Sequence, residues 1–294
     1  MPTLRIEPQL LESLTAVELG HAAQTGDRAL VRDYHSFADP VYERCAPAER
    51  DKAFAQLHLV WFEQRGWRKW FGARWAEFPE LAARAAGLLL LEARWKQEEG
   101  AVLGRDSTGV CLRVLPIRFA NRAQFEVFVR HEFLHACDML DPAFGYRIEH
   151  SEPCSAANAS AERYRALWCA YVDARMTRRG FVSLVQPDTH RRALAHAFSA
   201  LTAAQQTALF EQVWNAATLT HAELYERARR LEDKRTNAPR PGTRCPLCFF
   251  PTFDWASNIA PAVARSIRAD FPTWDVSNGA CARCVERYEL TIHG

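Results

Sequence analysis

Arg130-His131-Glu132-Phe133-Leu134-His135-Ala136 is the stretch from which the rest of this chain can be read. Two histidines four apart on a helix lie on one face, one turn above each other. Both imidazoles can then reach one metal ion, with Glu132 held beside the open coordination position. Zinc lowers the pKa of a bound water towards neutrality, and a carboxylate so placed can take its proton. An H-E-x-x-H pattern carries this meaning only on a helix, and the flanking residues predict one. Asn121 is a good N-cap. Phe125, Val127, Phe128, Phe133 and Leu134 supply a buried face, and Pro142 ends the helix by about Asp141.

The residues before this helix read as a β section. Leu88 to Trp95 favours an extended run, Gly100 to Ser107 is rich in turn residues, and Val110 to Phe119 is a second apolar run. A hairpin or meander is expected, with Pro116 placing the second run at an edge or interrupting it. An edge strand beside a metal helix can hold an extended peptide as an added strand. Further upstream, residues 1 to about 47 read as short helices broken by Gly26, Pro40 and Pro47. Ala48 to Gln64 carries Phe54, Leu57 and Trp61 at helical spacing.

Trp61 to Trp75 holds four tryptophans and two phenylalanines among Arg65, Arg68, Lys69 and Arg74. Aromatic rings among basic groups can form a platform for single-stranded nucleic acid. The favoured reading is a helix burying Trp67, Trp70, Phe71 and Trp75, because aromatics at i, i+3, i+4 and i+8 make a core stripe.

Near the C-terminus stand Cys245-Pro246-Leu247-Cys248 and Cys281-Ala282-Arg283-Cys284. Two C-x-x-C pairs are the signature of a tetrahedral four-thiolate zinc site. Phe249, Phe250, Phe253, Trp255 and Trp274 are candidates for the small core such a module needs. Asp233 to Arg244 is polar and rich in proline and charge, which marks a linker. Between motif and linker the chain reads as helical: about Ala159 to Arg179 up to Gly180, a helix capped by Thr202, and another opened by the capping box Thr220-x-x-Glu223. His190, His196 and His221 show no ligand spacing and are read as solvated or capping residues.

In this order (helices, hairpin, motif helix, two C-x-x-C pairs) the chain resembles the zincin metallopeptidases over about residues 88 to 178, and the SprT-like proteins in layout. The resemblance implies an α+β catalytic domain with a small, mostly antiparallel sheet against the H-E-x-x-H helix, followed by a zinc ribbon. The expected division is residues 1–232, a linker at 233–244, and a ribbon-like module at 245–294. Phe249 replaces the glycine that often follows a ribbon's first knuckle.

SprT-like proteins usually continue as H-E-x-x-H-x-x-x-H, but Met139 stands at the third histidine's place. Cys137 and Asp138 break the metzincin form. Candidates for the third ligand are Asp138, Asp141, Glu149, His150, Glu162 and Asp173. Asp138 shares the histidine face but lies about 10 Å along the axis from His131, which suits it to accept a bond from a ligand imidazole. Glu162 would sit in the first turn of the next helix, where an acid also favours the dipole. Asp173 lies in the apolar run Leu167 to Ala174, where a buried carboxylate needs a cation or hydrogen bonds. A zinc ion or Arg175 would serve. Asp173 is the preferred third ligand, with Glu162 the alternative. Tyr146, His150 and Tyr171 are candidate oxyanion donors.

The expectation is thus an intracellular zinc-dependent hydrolase, a metallopeptidase acting on proteins or peptides. His131, His135 and Asp173 would hold a catalytic zinc, Glu132 would be the base, and Cys245, Cys248, Cys281 and Cys284 would hold a structural zinc. The competing expectation is a binding protein whose zinc ribbon engages nucleic acid or protein, on an inactive zincin-like scaffold. A composition of 48% hydrophobic and 24% charged residues is that of a soluble globular protein, and a net charge of +2 gives nucleic acid no separate support. The N-terminal Met-Pro-Thr-Leu-Arg shows no apolar signal region, and the longest aliphatic run, Leu88 to Leu91, cannot span a bilayer. A cytoplasmic location without a membrane partner is expected. The odd count of nine cysteines fits reduced thiols and metal better than disulfides.

Overall fold

The structure is a computed structural model, and it describes residues 3–104, 109–147, 159–229, 242–272 and 274–293. The fold is α+β: helices surround one small mixed sheet. The chain divides into two compact units, Met1–Tyr225 and Glu226–Gly294. The expected linker at 233–244 lies outside the described residues except for its last three positions.

The first unit opens with a short strand, β1 (Thr3–Ile6), followed by helices α1 (Pro8–Thr25) and α2 (Arg28–Arg44). Gly26 ends α1 in the left-handed conformation at φ 77°, where a side chain would be strained. Pro40 lies within α2 and does not end it. Helix α3 (Arg50–Gln64) leads through Gly66 to α4 (Trp67–Ala76) and α5 (Pro79–Arg84). Strands β2 (Gly87–Glu92), β3 (Gly100–Leu103) and β4 (Gly109–Val114) complete the sheet.

The strand order is β1-β2-β4-β3. Strands β1, β2 and β4 run parallel, with Leu88 opposite Val110 and Leu90 opposite Leu112. Only β3 is antiparallel, pairing Ala101 with Leu112. The sheet is therefore mixed, not mostly antiparallel. The unbroken Leu88–Leu91 run reflects this, since parallel strands read as continuous apolar segments rather than alternating ones. Leu88, Leu90, Val110, Leu112 and Val114 are buried on one face. The second apolar run does break at Pro116, where a 3₁₀ turn (Pro116–Ala120) takes over. Its strand is nevertheless interior. The edges are β1 and β3, and β3 falls in the stretch read from sequence as a turn.

Helix α6 (Arg122–Leu140) follows, capped as expected by the Asn121 side chain, which accepts from Gln124 N at 3.1 Å. Phe125, Phe128, Phe133 and Leu134 are buried, while Val127 is half-buried and Val129 takes its expected place. The tryptophan stripe of α4 is core: Trp67, Trp70, Phe71 and Trp75 are all buried. Trp70 stacks on Phe125 with ring centres 5.3 Å apart, and Trp75 meets Phe133 edge-on at 5.4 Å. Burying one such ring contributes about 1.5–3 kcal/mol, whereas an exposed ion pair gives about 0–1 kcal/mol. The rings, not the arginines between them, fix α4 behind the motif helix. The charges close the seam: Arg130 pairs with Glu77 and Glu126, and Arg74 with Glu126, at 2.6 Å each.

Helix α7 (Ala159–Arg178) crosses α6 and stops at Gly180, which is left-handed at φ 79°. Helices α8 (Pro187–Ala197), α9 (Ala203–Trp214) and α10 (His221–Arg229) follow. Thr202 forms a capping box with Gln205, and Thr220 forms one with Glu223. His196 is exposed, as expected. His190 and His221 are not solvated residues: both are buried, and His221 Nδ1 meets the Tyr164 hydroxyl at 2.7 Å.

The second unit carries α11 (Pro261–Asp270) and α12 (Ala282–His293). Its only described strand pairings are two isolated bridges, Arg244 with Pro251 and Trp255 with Cys281. Helices thus provide the framework where a ribbon would use strands. The core consists of Leu247, Val263, Ala264, Ile267, Trp274, Ala280 and Val285 around the cysteines, with Trp255 packed against it. Phe249, Phe250 and Phe253 do not join it; they are 66%, 73% and 80% exposed. Burial of α11's apolar face leaves that core no need of them.

Candidate metal centres

Two groups of side chains come together in a way that could hold a metal ion: Cys245, Cys248, Cys281 and Cys284, and separately His131, His135 and Cys169.

The cysteine group is assembled from a turn and a helix start. The first C-x-x-C wraps so that Phe249 N donates to Cys245 O at 2.8 Å, and this leaves Phe249 left-handed at φ 61°. That is the position where a glycine was to be expected. The second pair sits at the start of α12. Cys245 Sγ lies 4.0 Å from Cys284 Sγ, and Cys248 Sγ lies 3.9 Å from Cys281 Sγ. Zinc–sulfur bonds of ~2.3 Å in a tetrahedron put sulfurs about 3.8 Å apart, so the observed spacings fit four ligands of one ion. Cys281 N also donates to Cys245 Sγ at 3.4 Å, which favours the thiolate, and the Cys245 pKa is lowered to about 7 although burial opposes it.

The second group joins α6 to α7. His131 Nε2 and His135 Nε2 are 3.1 Å apart, and Cys169 Sγ is 3.8 Å from His135 Nε2. Bond lengths of ~2.0–2.1 Å to nitrogen and ~2.3 Å to sulfur predict about 3.3 Å and about 3.6 Å for neighbours in a tetrahedral zinc shell. The donors fit. His135 is buried, and burial, then the charge on His131, hold its pKa well below the ordinary value, keeping a neutral ring able to donate a lone pair. Its ring meets Trp168 edge-on at 4.4 Å.

Asp173 is not a third donor beside the histidines. Its Oδ1 accepts from His131 Nδ1 at 2.9 Å and from Leu184 N at 2.8 Å, and its Oδ2 from His190 Nε2 at 2.7 Å and Val185 N at 3.0 Å. Four hydrogen bonds satisfy both oxygens on the far side of His131. Burial alone would raise this carboxyl's pKa, but the two histidines bring it well below the ordinary value. The arrangement orients His131 from behind, as carboxylates commonly do for ligand imidazoles. Without a metal, the Asp173 bond outweighs burial and raises the His131 pKa to about 10; a metal at Nε2 would have to displace that proton, leaving Nδ1–H on Asp173.

The other candidates also find definite places. Glu162 is exposed in the first turn of α7, seven residues before Cys169 and about 10 Å along the axis, too far to join it. Asp138 does not bond an imidazole; its Oδ2 accepts from Trp168 Nε1 at 2.7 Å and Arg175 Nη2 at 2.6 Å, tying α6 to α7. The arginine offered to Asp173 thus belongs to Asp138. Asp141 caps the turn at Ala143 and faces Arg84. Glu149 and His150 lie outside the described residues. The Tyr171 hydroxyl accepts from Leu219 N at 3.1 Å, which turns it to the helix seam. Tyr146 lies by Trp168, ring centres 5.7 Å apart.

Glu132 is buried on α6 at 9% exposure, and its Oε2 accepts from Ala101 N of β3 at 2.8 Å. Burial raises its pKa, and the nearby His131 charge and the Ala101 N–H only partly offset this. Gly100 makes the approach feasible: at φ 140° it takes a conformation side chains rarely adopt, and a Cβ there would lie 3.2 Å from Glu132 Oε2. The adjacent Glu99 is clamped by Arg118 at 2.7 Å, which fastens the start of the edge strand.

Sequence reasoning missed Cys169 and His190. A single cysteine in an apolar run reads as a small hydrophobe. The available signal was Cys169-x-x-x-Asp173, which repeats on α7 the one-turn spacing of His131 and His135 on α6. Compared with known protein families, curated proteins and solved structures, the chain matches none. Among the described residues, no helix is long and apolar enough to cross a membrane.

Proposed function

We propose that this chain is a zinc-dependent hydrolase cleaving peptide bonds, with a structural zinc in its second unit. One observation carries the reading: the His131, His135 and Cys169 donors converge, and Glu132, within electrostatic reach of His131, is fixed on Ala101 N of β3. Zinc among such donors acidifies water and polarises a carbonyl, the chemistry that amide hydrolysis needs. Asp173, itself fixed by His190 and two backbone N–H groups, holds the His131 ring at one angle. Ala101 holds Oε2 of Glu132, leaving Oε1 with no hydrogen-bond partner among the described residues and able to take a proton from water and return it to the leaving amine. A carboxyl whose pKa burial has raised is better matched to that exchange near neutral pH than an exposed one. Beyond the Ala101 N–H that Glu132 occupies, the outer edge of β3 would take an extended peptide as an added strand.

The test is Glu132→Gln in the full chain, with an unfolded protein as substrate. Hydrolysis should fall by about two to four orders of magnitude, with metal content and thermal stability kept. Undiminished cleavage by this variant would remove Glu132 from the mechanism.

A binding role for the second unit is favoured by one specific feature, the exposed Phe249, Phe250 and Phe253 beside the first C-x-x-C. Such rings can stack on nucleobases or enter a protein partner. Salt-dependent DNA binding abolished by deleting residues 240–294 would identify nucleic acid, and absence of DNA binding would leave a protein partner. The Trp61 to Trp75 segment lends this reading nothing, because its stripe is buried.

A further inference from the structure

We infer that Cys169 binds the metal of the first unit directly as a thiolate, making the centre a two-histidine, one-cysteine site. The inference rests on the hydrolase reading above and adds the identity and charge of its third donor.

Among the polar side chains that helix α7 presents to α6, Cys169 and Asp173 stand one turn apart and both meet the histidines. They divide the work by position. Asp173 stands behind His131 at Nδ1, where its oxygens accept four hydrogen bonds. Cys169 stands on the other side, where the Nε2 atoms of both imidazoles point. All three donor atoms lie within 4.8 Å of one another. Among the described residues, the candidate carboxylates are placed elsewhere: Asp138 on Trp168 and Arg175, Asp141 on the turn at Ala143, Glu162 exposed, Glu132 on Ala101. The Cys169 side chain is half-buried, and among the described residues its sulfur lies against the imidazoles of His135 and His131, the two other donors of the site.

A thiolate changes what the centre selects. Two imidazoles and one sulfur form a soft donor set that favours zinc, cadmium or cobalt over magnesium, calcium or manganese. It also places one negative charge on the ion, which makes the ion a weaker acid than three neutral imidazoles would. The dependence on Glu132 as proton acceptor grows accordingly.

Cadmium NMR of the full chain reads the sulfur count directly, because the resonance moves downfield with each thiolate ligand. Two resonances are expected, one from four thiolates and one from a single thiolate. Cys169→Asp should move the second upfield and leave the first in place. If both resonances stay where they are, Cys169 is not a ligand, although the hydrolase reading stands as long as His131→Ala removes one of them. A single resonance untouched by His131→Ala would overturn both. Alkylation of the unmutated chain provides a check independent of any variant. Mapped by mass spectrometry, Cys169 should be protected by zinc and react after chelation. Equal reaction in both states would overturn the assignment.

Discussion

The two metal-capable clusters of this chain are built by opposite routes. Each C-x-x-C pair in the second unit is a local turn carrying two ligands, so four donors need only two segments to meet. In the first unit α6 brings two donors and Glu132, and α7 must be docked to within an ångström to add Cys169. The cysteine cluster closes on itself with four sulfurs and leaves no room for substrate. Among the described residues the histidine cluster has three donors, with the Glu132 carboxylate on the same helix and within electrostatic reach of His131. Closed four-ligand sites are typically structural and three-ligand sites with an open position typically catalytic, which is why the proposed hydrolysis is placed at the histidine cluster.

Their supporting cores differ too. The second unit has only a small apolar core around its cysteines, and small domains with such cores commonly add a structural metal to stay folded. The first unit has the tryptophan and phenylalanine rings of α4 and α6, which hold the motif helix whatever the metal does. Cys281→Ser, or removal of metal by a chelator, is therefore expected to have the largest effect. Hydrogen exchange should show residues 242–293 losing protection and α6 keeping it. Parallel loss in both units would mean that the first also folds around its metal.

The docking of α7 is the next point of attack. Asp138→Ala strands Arg175 and the Trp168 N–H at the helix seam, and breaking such a buried pair costs about 3–5 kcal/mol. Denaturant unfolding of the first unit should register that loss, and zinc at the cysteine cluster should remain. The smallest expected effect concerns backbone strain at the two sites. The first unit meets its positive φ with Gly100, and the second places Phe249 at φ 61°. Phe249→Gly should stabilise the second unit by about 1 kcal/mol, since a side chain in that region costs about 1–2 kcal/mol. Its ring is exposed, so little packing is lost. A decrease in stability would show that the Phe249 ring is held by contacts of its own.

Much of this was legible because it is local. The cap at Asn121, the boxes at Thr202 and Thr220, the core stripe at Trp67 to Trp75 and the paired cysteines each announce themselves within a few residues. Strand β3 was hidden because four residues led by a glycine carry too little pattern to stand out from a turn. The parallel pairing of β1, β2 and β4 was hidden because strand direction is a property of connections, not of composition. The exposed phenylalanines were misread as core because hydrophobic character alone does not say which side of a small module α11 will cover.

The H-E-x-x-H site shows the same division at its sharpest. Sequence by itself determined that His131, Glu132 and His135 share one helix and that two imidazoles fall on one face, since helical periodicity allows nothing else. It also required that Asp173 be buried and partnered. Only the tertiary structure decided what the partner is. Placing α7 against α6 puts Asp173 behind His131 and Cys169 in front of it, a difference of one helical turn. A ligand contributed from another helix is chosen by how the two helices cross, and no spacing within either helix encodes that crossing.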